Sequence, residues 1–237
     1  LLDFCIFNFN MEQKQLRWAY LIILSLVWGS SFILMKKALL GLTPIQVGAL
    51  RIVITAVFLL LIGFKSVLKI NRRHWYYLML NGVVGNFIPV FLFAFAIEHI
   101  DSAIASILNG LTPLNTLIFS ALIFGFGFKR NQLIGVLVGL LGTVMLILKG
   151  AEINPNQNYA YAGLILFATV CYALNVNIIK KYLHDLDALS ITVGNFIILL
   201  VPALIVLWFS NFFTTFEFTE TGTSSLIMFG MIFAVMY

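Results

Sequence analysis

Charge is scarce in this sequence: Asp, Glu, Lys and Arg together make up 10% of its 237 residues. A soluble globular chain carries about 25%. With 62% of the residues hydrophobic, a water-facing surface could not be assembled, which excludes an ordinary soluble domain and points to a fold solvated by lipid. Cysteine is equally sparse. Cys5 and Cys171 imply neither a disulfide framework nor a cysteine metal cluster, and Cys171, inside an apolar run, reads as a small packed hydrophobe. The three histidines, His74, His99 and His184, all fall near the ends of apolar runs, and no aspartate falls in the middle of one. Ser30 and Ser31 have no plausible base nearby. The convergent groups of an intramembrane enzyme are therefore missing: a Ser–His pair, paired aspartates, or two histidines at helical spacing. No catalytic residue, metal site or cofactor is expected. The formal charge of +5 does not indicate nucleic acid, because the basic residues sit between the apolar runs, where they act as topology signals.

Long apolar runs are what the sequence has in abundance. A helix needs about 20 mostly apolar residues to cross a bilayer, and in lipid only a helix satisfies its own backbone within one segment. Seven complete spans are read at 18–38, 44–64, 75–97, 102–124, 132–148, 160–181 and 189–209, with an eighth beginning near Ser224. The expected fold class is all-α, a polytopic membrane bundle. Residue 1 is Leu, a plausible start lies at Met11, and the last run stops at Tyr237 without a polar flank. The chain is thus expected to be a fragment, with residues 1–17 irregular or partly non-native.

Basic residues set orientation. With the amino terminus inside, the inner segments hold Lys14, Arg17, Lys65, Lys69, Arg72, Arg73, Lys129, Arg130, Lys180 and Lys181. The outer segments hold only Lys36, Lys37 and Lys149. A cytoplasmic amino terminus in a cell (inner) membrane is the expectation.

A shift of about 144 positions lays Ser25-Leu-Val-Trp28 on Thr169-Val-Cys-Tyr172 and Met35-Lys36-Lys37-Ala38 on Ile179-Lys180-Lys181-Tyr182. It also matches Thr43-Pro44 to Asp187-Ala188 and Arg51 to Asn195. Five spans separate the copies, so the second enters the membrane from the opposite side, as in an inverted repeat. Other motifs follow in order: Trp28-Gly29-Ser30-Ser31-Phe32 before Lys36-Lys37; Pro44-Ile-Gln-Val-Gly48-Ala-Leu-Arg51; Leu108-Asn109-Gly110-Leu111-Thr112-Pro113-Leu114; and Gln132-Leu133-Ile134-Gly135 running to Gly142-Thr143-Val144. Together, from Leu16 onward, these resemble the EamA family of the drug/metabolite transporter superfamily. One departure is that Gly125-Phe126-Gly127-Phe128 lacks the acidic residue usual in that family near the end of the fourth helix. The resemblance implies two inverted five-helix repeats, one at 18–148 and a partial one at 160–237, with ten helices in the complete protein.

Candidate solute-binding residues cluster in four spans. In the fourth, Ser102, Ser106, Asn109, Pro113, Thr116 and Ser120 recur at steps of four and three, on one helical face, with Thr112 beside Pro113. Small polar residues favour helix packing in membranes, but the same face could hydrogen-bond a solute, especially as Pro113 frees the Asn109 carbonyl. Both readings stand. The third span offers Asn81, Gly82, Gly85, Asn86 and Pro89, read as cavity lining. Arg51, the only basic residue well inside a span, is either a helix clamp or a source of cavity field. Trp28, with Ser31 after it, and the matching Tyr172 lie mid-span; the resemblance places them opposite each other across the solute path, while simple packing remains open. Asn175 and Asn177 join this group but cannot easily share a face. Gly135, Gly139 and Gly142 read as a packing stripe, and Glu98, His99 and Asp101 as a solvated loop.

The leading expectation is a permease for a small organic solute, an amino acid or related metabolite, by efflux as the resemblance implies and by alternating access. A non-transporting receptor or assembly subunit is the alternative, and an intramembrane enzyme a weaker one. No filter-like loop suggests a channel, and no nucleotide-binding glycine loop allows this chain alone to use ATP. The expected partners are the solute and the lipid bilayer, with a homodimer left open.

Overall fold

The computed structural model describes residues 2–125, 127, 130–153 and 158–215, with side chains from Trp18 onward for most of them. The described chain is helical throughout, in the order α1 (Leu2–Ala38), α2 (Pro44–Val67), α3 (His74–Gly82), a π-helical turn (Val83–Phe87), α4 (Ile88–His99), α5 (Ser102–Asn109), α6 (Thr112–Leu122), α7 (Arg130–Ile153), a 3-10 turn (Tyr159–Tyr161), α8 (Ala162–Tyr182), α9 (Ala188–Phe209) and the short α10 (Phe212–Thr215). Seven segments among the described residues are long and apolar enough to cross a membrane: Trp18–Ala38, Pro44–Val67, His74–His99, Ser102–Leu122, Arg130–Gly150, Tyr159–Tyr182 and Ala188–Phe209. The chain is a multi-pass, all-α membrane bundle. The expected eighth span, near Ser224, lies outside the described residues.

One expectation changes. Residues expected to be irregular before Trp18 continue α1 back to Leu2; the segment holds no Pro or Gly, and Glu12-Gln13-Lys14-Gln15-Leu16-Arg17 are good helix formers. The glycines of α7, expected as a packing stripe, meet no neighbour among the described residues: a Cβ at Gly135, Gly139 or Gly142 would find nothing within 4 Å.

The centre of the bundle is the antiparallel pair α2 and α9. Both helices start from a capping side chain. Thr43 accepts from the Gln46 amide, and the Gln46 side chain returns a bond to Thr43; Asp187 accepts from the Ser190 amide. Such caps satisfy donors that would otherwise be orphaned at a helix start. Each capped residue then reaches across to the far end of the other helix. Gln46 Nε2 donates to the Ser210 carbonyl at 3.2 Å, and Ser190 Oγ donates to the Ser66 carbonyl at 3.2 Å. The same shift of about 144 positions that aligns the sequence copies carries one bond onto the other. Between these ends Ile52, Ala56, Leu59, Val193, Phe196, Leu199 and Ala203 form one buried cluster.

Close approach along the pair depends on Gly63, where a Cβ would fall 2.5 Å from Val193 Cγ2. Gly63→Ala should therefore lower the thermal stability of the detergent-solubilised protein, by about 1–3 kcal/mol as overpacking usually costs. Adding Val193→Ala should restore part of it. A loss that Val193→Ala does not relieve would place the strain elsewhere.

Candidate functional site

The third span leans on both members of the central pair. Phe91 packs against Gly48 of α2, while Ile70 and Leu78 close around Gly194 of α9. Halfway along, its backbone widens into the π turn Val83–Phe87. Pro89 has no N–H to return to the carbonyl of Gly85, so the ordinary ladder is interrupted there. A π turn within a helix often marks a functional position.

Two glycines bring neighbours against this turn. A Cβ at Gly85 would overlap the Asn175 carboxamide, and one at Gly82 would lie 3.4–3.5 Å from the Cα, Cβ and carbonyl of Asn195. Asn175 Nδ2 donates to the Asn81 carbonyl at 3.2 Å. The Asn81 side chain itself is fully buried, and neither its Oδ1 nor its Nδ2 has a hydrogen-bond partner among the described residues. Asn195 is buried as well, and its Oδ1 is also without one. Leaving a buried polar group unsatisfied costs about 1–3 kcal/mol, and such groups are rare enough in native structures to require a cause.

The fourth span, expected as one helix, is broken at Gly110 and Leu111 into α5 and α6. Tight three-residue bonds close the break, Gly110 N to Ile107 O and Leu111 N to Leu108 O, both at 3.0 Å. Pro113 follows at the start of α6, where a proline is tolerated. Asn109 Oδ1 accepts from Thr112 Oγ1 at 3.3 Å, and Thr116 Oγ1 donates to the Thr112 carbonyl. Pro113 is exposed.

Along the seam of α6 with α8, side-chain amides find a hydroxyl and backbone carbonyls as partners. Asn115 Nδ2 donates to Thr169 Oγ1 at 2.8 Å. Asn177 Nδ2 donates to the carbonyls of Thr116 and Ala173 at 3.1 and 2.9 Å. These groups join helices, as small polar residues do in membranes. Asn175 and Asn177 indeed serve different neighbours, the third span and α6 respectively.

The other candidates are spread out. Trp28 is 57% exposed, whereas Ser31 is buried and donates to the Trp28 carbonyl. Tyr172 is half-buried, its ring stacked on Phe93 at 5.9 Å. Arg51 and Asn86 are half-buried, and the Arg51 carbonyl accepts from Thr55. The structure thus brings together Asn81 and Asn175, and separately Asn109, Thr112 and Thr116. Sequence reasoning missed Asn195, Asn115 and Thr169 as parts of polar clusters. For Asn195 a signal existed, its alignment with Arg51.

Both ends of the third span are fastened. At one end Lys36 Nζ donates to the carbonyls of Ile97, Glu98 and Ile100 at 2.5, 3.0 and 3.1 Å, and the His99 ring stacks on Tyr161 at 3.8 Å. At the other, Tyr77 stacks on Tyr182 at 4.3 Å. There Asp185 Oδ2 lies 2.9 Å from an Arg73 guanidinium nitrogen and 3.1 Å from His74 Nε2. Desolvation pushes the Asp185 carboxyl up, but hydrogen bonds from Arg73 and the backbone, with the charges of His74 and Arg73, together hold it below its ordinary value.

The model of the EamA-like transporter family matches residues 16–148. An uncharacterized transporter of Haemophilus influenzae is 29% identical over 67% of this chain and 50% of its own length. The uncharacterized transporter YyaM of Bacillus subtilis is 24% identical over 79% of this chain and 63% of its own length. The pseudopaline exporter CntI of Pseudomonas aeruginosa is 30% identical over 56% of this chain and 46% of its own length. The chain spans about half to two thirds of these first two relatives. No solved structure matches it significantly.

The Asp185 fastening has a defined pH dependence. A carboxyl whose folded pKa is depressed adds stability that is complete above its unfolded value, about 4, and lost as pH falls through the folded one. Asp185→Asn should melt below wild type in detergent at pH 7, with the gap closing as the pH falls below about 4. A gap that persists unchanged to pH 3 would mean that the carboxylate charge is not what holds this end.

Proposed function

Because the chain belongs to the EamA-like transporter family, we propose that it forms part of a permease moving a small organic solute across the cell (inner) membrane by alternating access. Asn81, Asn86, Asn109, Thr112, Pro113, Thr116, Tyr172 and Asn175, together with Trp28, Ser31 and Arg51, are the proposed lining. The amino terminus is cytoplasmic in this reading, and the solute is an amino acid or related metabolite. Export is the proposed direction, in keeping with the name of the Pseudomonas relative. The protein acts as a carrier and not as an enzyme.

The observation that carries this reading is the α2–α9 pair. Its two crossing hydrogen bonds, Gln46 to Ser210 and Ser190 to Ser66, are related by the offset of the sequence copies. Two similar halves meeting about a pseudo-two-fold axis are what alternating access requires, since one half can rock against the other around a fixed site. The proposed halves are the five-helix unit 18–148 and the partial unit 160–237. The interrupted third and fourth spans support the same reading, because transporters place solute sites where membrane helices are broken. No ATP-binding element is needed; a gradient of the solute or of a coupled ion would drive the movement.

The test is counterflow of labelled amino acids and metabolites by the full-length protein in proteoliposomes. Saturable exchange of one solute is expected, with Asn109→Ala raising its half-saturation concentration about three- to tenfold, the scale of one lost hydrogen bond. Failure of well-folded protein to exchange any solute, in a panel that includes sugars, nucleosides and cationic drugs, would refute the permease reading in favour of a receptor or subunit.

A further inference from the structure

The buried amides of this protein fall into two groups. Those between α6 and α8 are satisfied by other protein groups. Asn81 is not: among the described residues it is the most deeply buried asparagine, and neither its donor nor its acceptor has a partner there. It lies immediately before the π turn, with the Asn175 amide already committed to its backbone carbonyl. Asn195, buried with an unpartnered Oδ1, packs against the next residue, Gly82.

We propose that Asn81, with Asn195 beside it, is a specificity site that reads a neutral or zwitterionic polar edge of the solute, one presenting a hydrogen-bond donor and an acceptor side by side. This rests on the permease reading and deepens it. A carboxamide with both atoms unsatisfied selects its ligand by that pairing. A metal cation would satisfy Oδ1 and face the positive end of the Nδ2 dipole; a simple anion would satisfy Nδ2 and face Oδ1. A carboxamide, or the ammonium and carboxylate of an amino acid, serves both at once. The described mid-span positions agree with this: the acidic residues with described side chains, Glu98, Asp101, Glu152, Asp185 and Asp187, all lie near span ends or in loops, so none supplies the counter-charge that a cationic solute would need in the interior. Reaching Asn81 requires the third span and α8 to part, and the π turn lies where they would do so.

The full-length protein tests this through binding as well as transport. Asn81→Leu keeps the branch at Cγ and removes the unsatisfied amide. It is expected to melt at or above wild type without solute, yet to bind L-glutamine and L-serine at least about tenfold more weakly by thermal shift and counterflow. Asn81→Ala removes the amide without adding bulk and guards against a folding failure of the first variant; it should show a similar loss at pH 7. Wild-type affinity in both variants would overturn the site and leave a buried water or plain packing as the cause of the unpaired amide. Wild type stabilised by sodium chloride or by tetraphenylphosphonium, but by no neutral or zwitterionic solute, would overturn it in favour of a cation. If wild type exchanges a solute while the variants exchange it equally well, only this site fails; if wild type exchanges nothing, the permease reading fails with it.

Discussion

Within lipid, apolar side chains gain little by leaving one greasy surface for another, so helices must be held by close packing and by hydrogen bonds that have no water to compete with. In this protein that requirement converges on α2 and α9. A glycine on α2 admits Val193, and a side-chain amide and a hydroxyl each cross to a carbonyl at the far end of the partner helix. The third span then rests on this pair through Gly48 and Gly194, and α8 rests on the third span through Asn175 and the ring stacks at Phe93 and Tyr77.

The same constraint sorts the polar residues. An amide inside a membrane protein is costly unless something satisfies it, so the identity of its partner separates structural glue from a site left for a ligand. Asn115 and Asn177 find protein partners and bind helices together. Asn81 finds none among the described residues, and it sits where Gly85 and Pro89 interrupt the regular ladder. The third span is fastened at both ends, by Lys36 at one and by Asp185 at the other.

Much of this was legible in the chain itself. Span positions came within a few residues because an apolar run of about 20 residues has few alternatives to a helix in lipid. In the sequence an offset of about 144 positions pairs Arg51 with Asn195 and Thr43 with Asp187, and the same offset relates the two cross-helix bonds. The break at Gly110 was not legible, since Gly and Pro also occur in unbroken membrane helices. Nor was it legible that the α7 glycines face no neighbour among the described residues: small residues mark a possible contact face, but a face needs a neighbour to be used.

By itself, then, the sequence determined that the chain is a membrane bundle, where its helices run and which positions are polar, because hydropathy and period are properties of each segment alone. Only the tertiary structure decided which of those polar groups are spent on other helices. Asn175 and Asn177 differ by two positions in one helix, yet one faces the π turn and the other the fourth span. Asn81 and Asn115 read alike as asparagines in apolar runs, and only the helices packed against them leave the first unpaired and the second bound. Hydrogen-bond satisfaction is a relation between segments distant in sequence, and it exists only once they are packed.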